Sequence, residues 1–220
     1  MMLERIKRNY LRDLAVVVLL MGMMTSIYIA TGYAIGDILT LQARSQINAW
    51  QRQTASFPRV GEIGKALNSL NSGARWLPGD PVLIEGIGYL YGLRANMARN
   101  LPELEHAMLD EVLVAYRSAV ARRPMSAYAW ANIALVLHRK NADLPEIWIA
   151  VDRAFLYGQR EAGVQIRLAE VVFRRWEEAG DSRRAAFREI LSTSRGRVAG
   201  DLRKIVEAAG QPEELAYLPG

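Results

Sequence analysis

The chain has 220 residues, of which 28 are basic and 23 acidic, so its formal net charge at pH 7 is +5. This length fits one ordinary domain with an appendage, and so modest a charge does not require a nucleic-acid partner. The absence of cysteine excludes disulfide scaffolds, thiol redox chemistry and cysteine-built metal sites, although it does not decide the compartment.

Residues 14–36 form an uncharged run of 23 residues between Asp13 and Asp37. A helix of this length extends about 34 Å, enough to cross a hydrocarbon core of about 30 Å. The alternative is a cleaved signal peptide, whose apolar region is shorter, about 7–15 residues, and ends at a small-x-small site. Ala30-Thr31-Gly32 is a poor candidate for such a site. The sequence therefore predicts a retained transmembrane helix over residues 14–38.

The residues that flank this run predict its orientation. Four basic residues lie before it, namely Arg5, Lys7, Arg8 and Arg12, and none follows it until Arg44. By the positive-inside rule, residues 1–13 form a basic cytoplasmic N-terminus and the rest of the chain lies across the membrane. Tyr28 and Tyr33 suit the interface on that far side. In a double-membrane bacterium we expect an inner-membrane protein with a periplasmic C-terminal domain.

Small residues recur every four positions within the run, at Gly22, Ser26, Ala30 and Ala34. A small-xxx-small stripe of this kind permits close packing of helices in lipid. The pattern predicts a transmembrane packing face, and the alternative is the ordinary composition of a membrane helix.

Beyond the run, residues 39–57 are rich in helix formers, which predicts a helical stalk that ends near Pro58. From residue 58 to residue 209, helix-period apolar patterns alternate with proline and glycine. Ser126 is a predicted N-cap, Asp181-Ser182 starts a helix, and Gly200-Asp201 opens a last short one. No long stretch alternates with period two, so the fold class is all-α. Residues 210–220 are predicted to form a flexible tail.

Helical motifs recur within residues 58–209. When residues 74–91 are aligned with residues 119–137, Gly88 falls on Ala134 at an offset of 46, and Ala169 falls on Ala134 at an offset of 35. A large residue followed four later by a small one lets antiparallel helices approach closely, as in tetratricopeptide repeats of period about 34. The pattern predicts a tetratricopeptide-like, right-handed stack of helical hairpins. The alternative is an irregular helical bundle.

Tetratricopeptide geometry places the first helix of each hairpin on a concave groove. The residues expected to face a partner protein there are Glu85, Tyr89, Tyr128, Asn132, Leu135 and His138.

The sequence predicts no catalytic residue, no cofactor and no metal site. No nucleophile elbow, P-loop or dinucleotide-binding glycine motif occurs. His106 and His138 are 32 residues apart, and neither has a second histidine at i, i+4. The adjacent carboxylates Asp110 and Glu111 point about 100° apart on a helix, which does not suit paired acid–base work. We therefore expect a protein that is not an enzyme.

Residues 174–204 contain nine basic and five acidic side chains. Arg183, Arg184 and Arg188 are a predicted docking face for an acidic protein, an anionic lipid or an acidic glycan. The alternative is a solvated helix surface.

Several segments follow one another in a characteristic order between residues 5 and 208. After the basic N-terminus and the span come LQARSQINAWQ, ALNSLNSGARWLPGDPVLIEGIGYLYGLRA, AYRSAVARRPMSAYAWANIAL and LAEVVFRRWEEAGDSRRAAFREIL. The chain resembles the VpsP-like family of bacterial polysaccharide biosynthesis proteins. The resemblance implies a single span, a tetratricopeptide-like domain and a part in exopolysaccharide assembly or export at the inner membrane. It carries over no catalytic residue.

Two functions remain open at this point. The first is a membrane-anchored scaffold that binds other membrane or periplasmic proteins of an envelope assembly through its groove. The second is an accessory subunit of an integral membrane complex, held mainly through the transmembrane helix.

Overall fold

The computed structural model describes residues 2–52 and 56–219, with side chains from residue 14 onward. Over these residues the protein is all-helical and contains no strand, which confirms the all-α part of the predicted fold. The chain divides after Asp80 into two compact units, Met1–Asp80 and Pro81–Gly220.

The first unit consists of α1 (Met2–Gln51) and α2 (Val60–Ala74). By length and composition, α1 contains one stretch, within Leu14–Gln51, that is long and apolar enough to cross a membrane. Every residue from 14 to 31 is exposed, including Met24 at 72%. The helix continues unbroken to Gln51, within the predicted stalk of residues 39–57.

α2 packs back against the second half of α1 as an antiparallel helix. A β-carbon added at Gly36 would lie 2.5 Å from Cγ of Leu77, and one added at Gly73 would overlap Cγ2 of the buried Thr40. The Ser69 hydroxyl donates a hydrogen bond to the carbonyl of Leu39. These contacts fix the position of α2 along α1.

Over residues 81–219, the second unit holds seven α-helices and two 3-10 helices. Helices α3 and α4 pack as one pair and α5 and α6 as another, while α5 also packs on α7 and α7 on α9. Their bounds are α3 (Pro81–Met97), α4 (Pro102–Arg122), α5 (Ala127–Arg139), α6 (Leu144–Gly158), α7 (Ala162–Arg174), α8 (Gly180–Thr193) and α9 (Gly196–Ala208), with 3-10 helices at Trp176–Glu178 and Pro212–Tyr217.

Small residues permit the closest approaches within these pairs. A β-carbon at Gly88 of α3 would lie 3.0 Å from the Tyr116 ring of α4. Where the end of α6 meets the start of α5, a β-carbon at Gly158 would overlap that of Ala127. Ala134 is fully buried. The small positions singled out by the repeat pattern at residues 88 and 134 are therefore packing positions.

Ser126 caps α5 as predicted, since its hydroxyl accepts a hydrogen bond from the backbone N–H of Ala129 at 3.3 Å. Two helix starts differ from the prediction. Helix α9 begins at Gly196 and runs through Gly200, while α8 begins at Gly180. Both starting glycines have positive φ, +55° at Gly196 and +72° at Gly180, so glycine sets the turn there in place of a side-chain cap.

Within the predicted flexible tail, residues 212–217 form a 3-10 helix, Pro212–Tyr217. The Glu214 side chain is 3% exposed and accepts two hydrogen bonds from Arg188, at 2.8 Å from Nε and 2.6 Å from Nη2. Leu218 is buried as well. A buried carboxylate needs such a partner, and this pair holds the segment on α8.

Candidate partner-binding surface

The predicted groove residues lie on two helices, and two arginines further along the chain contact them. Glu85 and Tyr89 are one turn apart on α3, whereas Tyr128, Asn132, Leu135 and His138 follow one another along α5. Arg167 of α7 and Arg175, the residue that follows α7, hydrogen-bond to these α5 side chains. Leu135 is half-buried and packs partly on the core.

Arg167 is the centre of the surface. Its Nε donates to Oδ1 of Asn132 at 2.9 Å and its Nη2 to the Tyr128 hydroxyl at 3.3 Å, while Cζ lies 4.8 Å from the centroid of the Tyr128 ring. Nη1 donates to the carbonyl of Gly163 at 3.3 Å. Among the residues with described side chains, no carboxylate forms an ion pair with Arg167. The half-buried guanidinium is therefore hydrogen-bonded only to neutral groups.

Three tyrosines surround this guanidinium. Tyr116 is buried with its ring edge-on to that of Tyr128, the centroids being 6.1 Å apart. Burial, and after it the neighbouring Tyr128, raises the pKa of Tyr89 to about 12, while Arg167 acts in the opposite direction. Burial raises the pKa of Tyr116 well above its usual value. Tyr89 and Tyr116 thus keep their phenolic protons at neutral pH.

Glu85, by contrast, is occupied within the chain. Its Oε1 accepts hydrogen bonds from the Ser126 hydroxyl at 2.7 Å and from Nη2 of Arg123 at 3.1 Å, and its side chain is 14% exposed. Ser126 is also the cap of α5. Glu85 therefore anchors the start of α5 to α3. This structural role could not be predicted from its position on α3.

His138 is also engaged. Its Nδ1 accepts a hydrogen bond from Nε of Arg175 at 2.8 Å, and Arg175 donates in addition to Oδ1 of Asn141 at 2.9 Å. Burial, then the charges of Arg175 and Arg174, lowers the pKa of His138 to about 4, against an opposing effect of Glu178. The imidazole is neutral at physiological pH, and its ring proton is on Nε2.

Sequence reasoning missed Arg167 and Arg175, although the repeat offset held the signal. Arg167 follows its partner Asn132 by 35 residues and Arg175 follows His138 by 37. These separations are close to the offset of 35 that relates Ala134 to Ala169. Carrying Asn132 forward by one period leads to Arg167, whereas Arg175 lies two residues beyond the position that corresponds to His138.

The three arginines of the predicted docking face all have partners within the chain. Arg183 binds both carboxylate oxygens of Asp152 at 2.7 Å, and Arg188 binds Glu214. Arg184 donates to the carbonyls of Trp176 and Glu177, both at 2.8 Å. These contacts hold the C-terminal helices together. Although basic residues are in excess here, all three arginines have partners within the chain. A docking role for them stays a prediction.

The predicted transmembrane stripe is exposed at all four positions, Gly22, Ser26, Ala30 and Ala34. The Ser26 hydroxyl donates to the carbonyl of Gly22 at 2.9 Å, and no atom lies within 4 Å of a β-carbon built at Gly22. Other small residues of α1 do pack within the chain: Gly32 lies beside Trp76, and Gly36 and Thr40 contact Leu77 and Gly73. The stripe is thus available to another helix.

Within the described part of the chain, no three His, Cys, Asp or Glu side chains lie close enough together to hold a metal ion. Comparison of the chain with protein-family models, with curated proteins and with solved structures finds no match.

Proposed function

We propose that this protein is a non-catalytic, membrane-anchored scaffold that binds partner proteins of a bacterial envelope assembly. The anchor is α1, in the inner membrane, with the N-terminus in the cytoplasm and the helical domain in the periplasm. The assembly indicated by the family resemblance is one for exopolysaccharide biosynthesis or export.

The observation that carries the proposal is the Arg167 cluster. A guanidinium has five N–H donors, and the contacts to Asn132, Gly163 and Tyr128 use three of them, which leaves two for an incoming group. A positive charge that is partly withdrawn from water attracts a carboxylate more strongly than one in bulk solvent. Tyr89 and Tyr128 flank it with large, rigid rings of the kind that dominates protein interfaces. The preferred partner is therefore a segment with an acidic side chain.

The packing of the helices is compatible with a tetratricopeptide-like stack. Helices α3 and α5 each pair with the helix that follows, and α5 also packs on α7. In such a stack α3, α5 and α7 line the concave side. Tyr89, Tyr128, Asn132 and Gly163, which lie around Arg167, come from these helices, while Tyr116 comes from α4.

Co-purification of Arg167→Gln with its partners tests the proposal, because the variant removes the charge and keeps a polar side chain. A matched control is Arg153→Gln, since Arg153 lies over the Trp130 ring at the same 4.8 Å distance and is itself exposed. Affinity purification from detergent-solubilised membranes should recover the same partners with the wild type and with Arg153→Gln, and lose them with Arg167→Gln. Equal recovery with Arg167→Gln, at an unchanged melting temperature, would contradict the proposal.

A second function, an accessory subunit of a membrane complex, is favoured by the exposed small-residue stripe on α1. Gly22→Leu together with Ala30→Leu blocks close approach of another helix in lipid. Loss of the partners in this double variant, with Arg167→Gln unaffected, supports the subunit function. Loss only with Arg167→Gln supports the scaffold.

A further inference from the structure

Trp76 lies in the turn that follows α2, and the residue is 45% exposed although the adjacent Leu77 is buried. A β-carbon built on Gly32 of α1 would lie 3.9 Å from the Trp76 carbonyl oxygen and 4.0 Å from Cε3 of its ring. The indole is therefore beside a residue of the uncharged run, residues 14–36.

This position is fixed by the packing of α2 on α1. Leu77 fills the space left by the missing side chain of Gly36, and Gly73 lies against Thr40. The Thr40 hydroxyl is itself held by the carbonyl of Gly36 at 2.8 Å. A shift of α2 along α1 would drive side chains into these contacts, so Trp76 cannot move away from Gly32 without separating the two helices.

The depth of Trp76 follows from the helix rise. Gly32 lies about 27 Å along α1 from Leu14, where the uncharged run begins, and about 6 Å before its end at Gly36. In a hydrocarbon core of about 30 Å this is the far boundary, where tryptophan is most favoured because its ring is apolar and its N–H remains wet. The ion pair between Asp37 and Arg44, at 2.6 Å, comes directly after the run.

We propose that Trp76 is a second membrane contact of this protein, in which the turn after α2 inserts its indole into the interface between lipid headgroups and acyl chains. The exposed Arg75 beside it lies at the height of the lipid phosphates. The contact holds α2 at a fixed height above the bilayer. This inference rests on the proposed anchoring of α1 and adds the lipid surface as the occupant of the exposed Trp76 face.

Because the chain has no cysteine, single-cysteine variants can each carry one spin label. Trp76→Cys is compared with Met24→Cys, in the middle of the span, and with Lys65→Cys, about three turns earlier on the exposed side of α2. The full chain is reconstituted in vesicles of phosphatidylethanolamine and phosphatidylglycerol. Collision rates are then measured with oxygen, which concentrates in lipid, and with a water-soluble nickel chelate.

The label at residue 76 should be shielded from nickel relative to residue 65 and should collide with oxygen at a rate between those at residues 65 and 24. Nickel access equal to that at residue 65, with residue 24 in lipid, overturns the Trp76 contact and leaves the anchor intact. Shielding of residue 76 from both reagents means that protein covers it and also overturns the lipid contact. Nickel access at residue 24 overturns the anchor and, with it, the contact.

A second measurement keeps the native indole. The fluorescence that disappears in Trp76→Phe belongs to Trp76, and it should be quenched when brominated lipids replace the ordinary ones. An unquenched difference spectrum, together with an inserted α1, contradicts the proposal.

Discussion

Replacing Gly158 by alanine tests how closely α5 and α6 approach each other. The added β-carbon would overlap the β-carbon of Ala127 and lie 3.3 Å from Cγ2 of Val164. Neither β-carbon in the overlap can rotate away, because each is attached directly to the backbone, so the two helices must separate.

Two opposing effects set the magnitude. Overpacking of a well-packed site costs about 1–3 kcal/mol. The gain in helix propensity from glycine to alanine is at most about 1 kcal/mol, and it is smaller here because Gly158 is the last residue of α6. We expect a net destabilisation of about 1–2 kcal/mol. For a chain of this size that is a fall in melting temperature of about 3–6 °C.

The matched control is Gly92→Ala in the interior of α3, where no atom lies within 4 Å of the added carbon. Only the propensity gain applies there, so the melting temperature should rise by a few degrees. Thermal unfolding of the detergent-solubilised full chain, followed by near-ultraviolet circular dichroism, measures both variants. If Gly158→Ala stabilises the protein as Gly92→Ala does, the close approach of α5 and α6 is wrong.

Three further changes have defined outcomes. The pKa of His138 lies near 4 in the folded protein against a usual value of 6.5, so the folded state binds fewer protons between these values. The contribution of His138 to the free energy of unfolding is therefore complete above pH 6.5 and is lost as the pH falls toward 4. An NMR titration of the His138 ring with a midpoint above pH 6 would contradict this. Glu214→Gln removes the ionised partner of Arg188, so amide hydrogen exchange in residues 210–219 should accelerate, and unchanged exchange would refute the role of the pair. Gly73→Leu leaves no room for α1, so α2 should detach and become sensitive to limited proteolysis, whereas intact resistance would show that the helices do not pack there.

The helical elements could be predicted from sequence where their signals are local. The uncharged run is one continuous segment, and the Ser126 cap and the period-3.6 patterns depend on residues within a few turns of one another. The structure has helices at all of them. The sequence predicts the start of α9 at Gly200, whereas the helix begins at Gly196. Both residues are glycine, so residue type does not distinguish the two positions, but Gly196 has the positive φ.

The pairing of charges could not be predicted, because the partners are far apart in sequence. Arg188 and Glu214 are separated by 26 residues, and Glu85 and Ser126 by 41. Local sequence patterns do not show such partners. They predict a flexible tail over residues 210–220, and a docking face or a solvated surface at Arg183, Arg184 and Arg188. Packing brings these groups together and determines which of them remain accessible to a partner.

The candidate surface was predicted in part. Helical period placed Tyr128 and Asn132 on one face of α5, and the structure adds Arg167, the residue that gives this face its charge. One helix alone cannot reveal a side chain contributed by the next hairpin. The repeat offset of 35 residues is the only feature of the sequence that connects them.

Site-specific photocrosslinking in intact cells tests the central claim most directly. A photoreactive amino acid is placed at Leu135, beside Asn132 on α5, or at Leu156 on α6, which is 73% exposed. A discrete crosslinked protein from position 135 that is absent from position 156, and that disappears with Arg167→Gln, is the predicted result. Equal crosslinking from both positions, or a product from position 135 that Arg167→Gln does not change, would contradict the claim that this surface binds a partner.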